Sequence, residues 1–278
     1  MTSKKRKNCD ENTTKFLNYV DADFSFLRLI CKTSLYCFEN DILVPLHMSG
    51  KLFYIGFDAD DTLWHCEDQF VEAQNKLYAL LPEQKSNDLR EATYRIEMSN
   101  IEPYGFGVKS FILSLVETYL KFRTNANSAE IEQLIDFGKS MLMGPVRLLE
   151  GVESTLKLLS NKYFLLLITK GDLVDQERKI RKSKLSKYFG AIEIVSEKNS
   201  EVYLEILHRN AIPKQKFAMI GNSMKSDILP VLNIGSRAIH IPYKYTWAHE
   251  EARMNPISGN YVFLENISSL PKWLDQNI

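Results

Sequence analysis

Five short, almost wholly apolar runs, separated by stretches with helical periodicity, dominate the hydrophobic pattern of the chain. The runs cover residues 52–57, 164–168, 191–195, 217–220 and 238–241. Their length and their aromatic and β-branched residues predict strands buried on both faces of a parallel sheet. Between them, at 152–159 and 202–207, apolar residues recur every three or four positions, which predicts helices. The pattern therefore predicts an α/β fold with a parallel sheet wrapped by helices.

About a hundred residues separate the first predicted strand from the second, far more than a single crossover needs. Three apolar stripes with helical spacing fall in this interval, and Asn127 and Glu130 have capping-box spacing before the third. We therefore predict an all-helical cap domain at 67–147, inserted into a core domain that comprises 51–66 and 148–278.

Composition and charge restrict the classes of partner. Thirty-five basic residues balance 35 acidic ones, so no net field recruits nucleic acid or anionic lipid. No apolar run is long enough to cross a bilayer, and the four cysteines have the layout of reduced thiols. Residues 1–50 show little periodicity and predict an N-terminal extension that is partly disordered. We expect a cytoplasmic protein without a nucleic-acid or membrane partner, and the oligomeric state stays open.

Polar residues at the ends of the predicted strands carry the candidate chemistry. Asp58, Asp60 and Asp61 follow the first strand, Thr169 ends the second, and Asn222 follows the fourth. Ligands bind at the carboxyl ends of parallel strands, so these groups are expected to converge. Three carboxylates in four residues repel one another in apolar surroundings, and Mg²⁺ relieves that repulsion through oxygen ligands. The alternative for such acids is a helix cap or a solvated turn.

Four segments resemble, in order, the motifs of the haloacid dehalogenase-like (HAD) superfamily. They are DADDTLW at 58–64, Thr169, Lys198 within SEKN, and GNSMKSD at 221–227. The resemblance extends from about residue 52 to the last residue. It implies a Rossmann-like core with a helical (C1-type) cap, and a hydrolase that acts on phosphate esters. Many members have Asp where this chain has Asn222, which supplies no charge.

The resemblance implies a catalytic role for four residues. Asp58 would be the nucleophile that becomes an aspartyl-phosphate, and Asp60 would protonate the leaving alcohol and then activate water. Thr169 and Lys198 would bind the phosphoryl group. Lys198 is preferred over the neighbouring Lys170 because of its sequence context.

A magnesium site and a substrate class follow from the same resemblance. Mg²⁺ would be held by Asp58, the main-chain carbonyl of Asp60, and Asp227, and Asn222 would bind the substrate. Asp227 has a simpler alternative as a helix cap. The substrate would be a small phosphorylated metabolite. The loop at 241–250 leaves the same sheet edge and is a candidate for lining the pocket.

Three other functions remain open at this point. A haloacid dehalogenase also uses an aspartate nucleophile but needs neither a metal nor a second acid, so Asp60 and Asp227 favour phosphate. A phosphonatase requires an imine-forming lysine in the cap, for which Lys76, Lys109 and Lys121 are candidates. From a different class, the chain would be a binding module that keeps the fold without turnover.

Overall fold

The chain divides into two units, Met1–Lys51 and Leu52–Ile278. In the first, strand β1 (Tyr36–Glu39) pairs antiparallel with strand β2 (Ile42–Pro45). The computed structural model describes the backbone of these two strands and residues 53–245, 247–250 and 259–278. Apart from the two strands, the predicted disorder of residues 1–50 lies outside the described residues.

A six-stranded parallel sheet forms the centre of the second unit, in the order β5-β4-β3-β6-β7-β8. Its strands are β3 (Tyr54–Phe57), β4 (Phe164–Lys170), β5 (Ala191–Val195), β6 (Phe217–Gly221), β7 (Arg237–His240) and β8 (Tyr261–Phe263). Every residue of β3 and β6 is buried, as the continuous apolar runs predict. The predicted parallel α/β fold is confirmed, with β8 as a strand that the pattern did not show.

Nine α-helices occur in the part of the chain that the structure describes. They are α1 (Glu67–Leu80), α2 (Ser86–Tyr104), α3 (Val108–Phe122), α4 (Ser128–Met143), α5 (Val152–Ser160), α6 (Leu173–Ser183), α7 (Ser200–Arg209), α8 (Leu229–Asn233) and α9 (Leu270–Asn277). Leu156 of α5 and Leu270 and Leu274 of α9 are buried in one apolar cluster with Ile55 of β3. None of the described helices is long and apolar enough to cross a membrane.

Helices α1 to α4 lie between β3 and β4 and share a hydrophobic cluster of their own. Leu77 of α1, Leu115 of α3 and Leu134 of α4 are fully or almost fully buried in it. At the start of α4 the predicted capping box forms only in part. The Asn127 side chain accepts the amide of Ala129, whereas Glu130 accepts the hydroxyl of Tyr119 on α3. A tertiary contact therefore replaces the local bond of a capping box.

Candidate active site

Three of the predicted site residues meet at the carboxyl end of β3. Asp58 follows the strand directly, and its amide continues the ladder by donating to the carbonyl of Ile220 at 2.8 Å. The ammonium group of Lys198 lies 2.5 Å from Asp58 Oδ1 and 2.7 Å from Asp227 Oδ1. All three side chains are almost inaccessible to solvent. The structure thus brings together acids that are far apart in sequence around one buried cation.

The electrostatics of Asp58 reflect its burial and its neighbours. Burial and the negative charge of Asp227 raise its pKa to about 7, against the opposing effect of Lys198. The two carboxylates, in turn, keep the pKa of Lys198 well above its ordinary value despite burial. The Thr62 hydroxyl lies 2.9 Å from Asp58 Oδ2 and 3.2 Å from Asn222 Oδ1. Asn222 is therefore at the same edge of the sheet, next to the hydrogen bonds of Asp58.

Asp60 has a separate set of three side-chain partners, none of which was predicted. The Trp64 indole donates to Asp60 Oδ1 at 2.6 Å, and the Lys179 ammonium contacts both carboxylate oxygens at 2.9 and 2.8 Å. Gln176 donates to Oδ2 at 3.2 Å. Burial of Asp60 favours a raised pKa, but Lys179, together with the bonds from Trp64 and Gln176, lowers it below its usual range. The Asp60 carboxyl is consequently held in its ionised form.

Thr169 is joined to this network through α6. The Gln176 side chain donates to Thr169 Oγ1 at 2.5 Å as well as to Asp60. Gln176 and Lys179 lie one helical turn apart on α6, so they present their polar ends to the same edge of the sheet. One face of α6 therefore orients both Thr169, which is predicted to bind the phosphoryl group, and Asp60, the predicted acid–base residue.

Asp227 lies in a single π-helical turn, Met224–Ile228, that follows β6. Its second carboxylate oxygen accepts the amide of Ser223 at 3.0 Å, and the residue is 1% exposed. Gly221 allows this approach, because a Cβ at that position would lie 2.2 Å from Asp227 Oδ2. The helix-cap alternative is therefore not the whole account, since the other oxygen contacts Lys198.

Replacing Gly221 by Ala is expected to displace the Asp227 carboxylate and to destabilise the fold by about 1–3 kcal/mol, because the added Cβ would lie 2.2 Å from Oδ2 of this buried side chain. Urea unfolding measures the loss. Gly259→Ala is the matched control, since no described residue lies within 4 Å of a Cβ there. Equal stability of the two variants would contradict the close contact between Gly221 and Asp227.

Asp61, the third acid that follows β3, has a structural role. Asp61 adopts a positive φ of 61°, and its carboxylate accepts the amides of Cys66 and Glu67 at the start of α1. Burial and the nearby Asp60 raise its pKa to about 7. For Asp61, the helix-cap alternative describes the observed contacts.

A cavity of about 170 Å³ connects these groups with helices α1, α2 and α3. Asp58, Asp60, Thr169, Lys198, Asn222 and Asp227 all line it, as do Tyr245, Trp247 and Glu250 from the loop at 241–250. Lys170 also lines the cavity, but it forms an ion pair with Glu250 at 2.5 Å instead of contacting Asp58. None of the three lysines considered for a phosphonatase lines it.

The donor set at the end of β3 suits a hard divalent cation. Asp58 and Asp227 each have a carboxylate oxygen directed to the same point, where Lys198 compensates their charge. In the described residues, no group of three or more His, Cys, Asp and Glu side chains has metal-binding geometry. Mg²⁺ takes only one or two carboxylates and otherwise binds water, carbonyl and phosphate oxygens. The two converging carboxylates, Asp58 and Asp227, therefore match the number that this ion takes.

The chain has a parallel α/β sheet with carboxylates gathered at the carboxyl ends of its strands. The family model for haloacid dehalogenase-like hydrolases matches residues 54–235, and the chain belongs to this family of enzymes. The predicted recognition of the family is confirmed. No curated protein matched the chain.

Solved structures agree with this assignment. A haloacid dehalogenase-like family hydrolase from Xanthomonas campestris is 33% identical, with a TM-score of 0.72 over 82% of this chain and 93% of that one. A HAD-hydrolase from Bacillus subtilis described as bound to magnesium is 17% identical, with a TM-score of 0.58 over 81% and 99%. A 2-haloacid dehalogenase from Pseudomonas syringae is 21% identical, with a TM-score of 0.55 over 81% and 99%. The last two show the fold alone.

Proposed function

We propose that the chain is a magnesium-dependent phosphatase that hydrolyses a small phosphomonoester through an aspartyl-phosphate on Asp58. The observation that carries this proposal is the meeting of Asp58, Asp227 and Lys198 at the wall of the cavity. Dehalogenation needs a nucleophilic aspartate but no second acid that approaches it. Asp227 contacts Lys198, which also contacts Asp58. This second carboxylate favours a phosphate ester as substrate, because hydrolysis of a phosphate ester uses a divalent metal ion that the two carboxylates can bind.

The proposed reaction has two half-reactions, phosphorylation of Asp58 and hydrolysis of the aspartyl-phosphate. Asp58 attacks phosphorus, forming its O–P bond while the ester P–O bond breaks, and the leaving oxygen takes a proton from Asp60. Water then attacks the aspartyl-phosphate, gives its proton to Asp60, and releases phosphate and free Asp58. Thr169 and Lys198 bind phosphoryl oxygens. The ion pair with Lys179 favours the second half-reaction, in which Asp60 must be ionised, and opposes the first, in which Asp60 must carry a proton.

Magnesium would be held by Asp58, Asp227 and the carbonyl of Asp60. When bound, the ion supplies positive charge to the phosphoryl oxygens and orients the ester. The magnesium described for the relative from Bacillus subtilis supports this choice of metal. We further propose that residues 67–147, which contain α1 to α4, are a cap over the cavity.

Hydrolysis of p-nitrophenyl phosphate, assayed with magnesium and with EDTA, tests the proposed function. We expect turnover with magnesium and its loss on chelation. Assays with 2-chloropropionate, which report released chloride, test the dehalogenase alternative in the same preparation. Chloride release without phosphatase activity would contradict the proposal, and a folded protein inactive in both assays would favour the binding module.

Asp227→Ala is expected to raise the magnesium concentration needed for half-maximal activity by about tenfold or more, because one of two carboxylate ligands is lost. A magnesium titration of the initial rate measures the change. Asp275→Ala is the control, since this acid forms a half-exposed ion pair with Lys162. An unchanged titration for Asp227→Ala would remove this residue from the metal site.

A further inference from the structure

Two acidic side chains of the helical insertion face the cavity without a cation. Glu97 on α2 is 8% exposed, and its Oε2 has no hydrogen-bond partner among the described residues. Glu67, at the start of α1, also lines the cavity, and neither glutamate forms an ion pair with a described residue. Six other acids that line the cavity are paired with lysine or arginine: Asp58, Asp60, Asp172, Asp175, Asp227 and Glu250.

The charge of the cavity reinforces this difference. Nine carboxyl groups line it against three lysines. A bound divalent ion and a phosphate dianion cancel each other, so they leave the excess of acids unchanged. Burial raises the pKa of Glu97 to about 7, and burial together with Asp61 and Glu97 raises that of Glu67 to about 8. Buried carboxylates without a cation are costly, and a positive ligand group removes that cost.

Aromatic rings line the same cavity as these acids. Phe106 and Trp247 both line the cavity, with ring centroids 6.0 Å apart in an edge-on arrangement. The Phe106 ring already has a cation near its face, because Lys170 Nζ lies 4.1 Å from its centroid. The Trp247 indole N–H has no well-formed hydrogen bond within the described part of the chain, although it lies near enough to Glu97 to offset part of the rise in the pKa of that carboxyl. A carboxylate beside aromatic faces is a site for an alkylammonium group.

We propose that the alcohol portion of the substrate carries a protonated amine, which is bound by Glu97 with the support of Glu67, Phe106 and Trp247. The substrate class is then the phosphomonoesters of small amino alcohols. This inference rests on the proposed phosphatase function. The phosphoryl group would lie at Asp58 and Lys198 and the amine at Glu97 on α2, and all three residues line the same cavity of about 170 Å³.

A matched pair of substrates tests the proposal. O-phosphoethanolamine and 2-hydroxyethyl phosphate have the same length, but the first ends in an ammonium group and the second in a hydroxyl group. The corresponding pair with three carbons, 3-aminopropyl phosphate and 3-hydroxypropyl phosphate, extends the series. With magnesium, we expect kcat/KM for the amine ester to exceed that for its neutral partner by about tenfold or more, as a charge-assisted bond predicts. Glu97→Gln should bring the ratio close to one, and Glu67→Gln should reduce it.

Glu102→Gln is the control variant, because Glu102 lies on α2 with its side chain exposed to solvent. It should keep the wild-type ratio. Equal kcat/KM for amine and neutral esters, or a preference that survives Glu97→Gln in a folded protein, would overturn the proposal. A preference for the neutral esters would indicate a polyol phosphate instead. Failure of the phosphatase function gives a different result, because p-nitrophenyl phosphate would then not be hydrolysed either.

Discussion

Asp58→Asn is expected to abolish hydrolysis of p-nitrophenyl phosphate, with kcat lowered by about 10⁴-fold or more, because an amide cannot attack phosphorus. The fold should persist. The carboxylate is buried beside Asp227, and its pKa of about 7 shows that the charged form is disfavoured there. A neutral side chain of the same shape removes this repulsion, and its oxygen can still accept from Lys198. We therefore expect the free energy of unfolding to stay within about 1 kcal/mol of wild type.

Steady-state rates and urea unfolding of the same preparation check both halves of this prediction. Asp136→Asn, on an exposed face of α4, is the control and should leave kcat unchanged. Two results would contradict the assignment of Asp58 as nucleophile. The first is an Asn variant that keeps most of the wild-type turnover. The second is an Asn variant that unfolds far more easily than wild type, because Asp58 would then have a structural role.

Lys198→Met should be the most destabilising single substitution among the ion-paired residues of the site. Lys198 is 2% exposed and is the cation shared by Asp58 and Asp227. Its loss leaves two buried carboxyl groups facing each other, so we expect a loss of about 3 kcal/mol in magnesium-free buffer. Turnover should fall by about 10²-fold or more, because a donor to the phosphoryl oxygens is removed as well.

Added magnesium should raise the melting temperature of Lys198→Met more than that of wild type, because the ion replaces part of the missing positive charge. Differential scanning calorimetry with and without magnesium measures this. Lys162→Met removes an ion pair in which both side chains are about half exposed, and it should cost less than about 1 kcal/mol. If the two lysine variants were equally stable, Lys198 would not be the cation that holds the carboxylates together.

The strands of the core could be predicted because they are buried on both faces. Tyr54–Phe57 and Phe217–Gly221 are continuous apolar runs that no half-exposed strand or amphipathic helix resembles. Strand β8 was missed for the opposite reason. Tyr261–Phe263 has only three residues, lies at the sheet edge, and is partly exposed, so it leaves no run to detect.

The site could be predicted only as far as strand ends determine it. Asp58 and Thr169 directly continue their strands, so their convergence follows from the parallel sheet. Lys179 and Gln176 come from a helix face, and which face of α6 meets Asp60 depends on packing over 119 residues of sequence separation. Their spacing of three residues was the only available signal. The unpaired state of Glu97 could not be predicted either, because the absence of a neighbouring cation becomes evident only in the folded chain.

A pre-steady-state assay of Asp60→Asn tests the central claim most directly. Nitrophenolate leaves without a proton, so Asp58 should still be phosphorylated, while hydrolysis of the aspartyl-phosphate lacks its base. With magnesium and excess p-nitrophenyl phosphate, we predict a burst of roughly one nitrophenolate per active site, followed by slow release. Adding Asp58→Asn to the same protein should eliminate the burst. Linear release without a burst, or a burst that persists without the Asp58 carboxylate, would contradict the proposed mechanism.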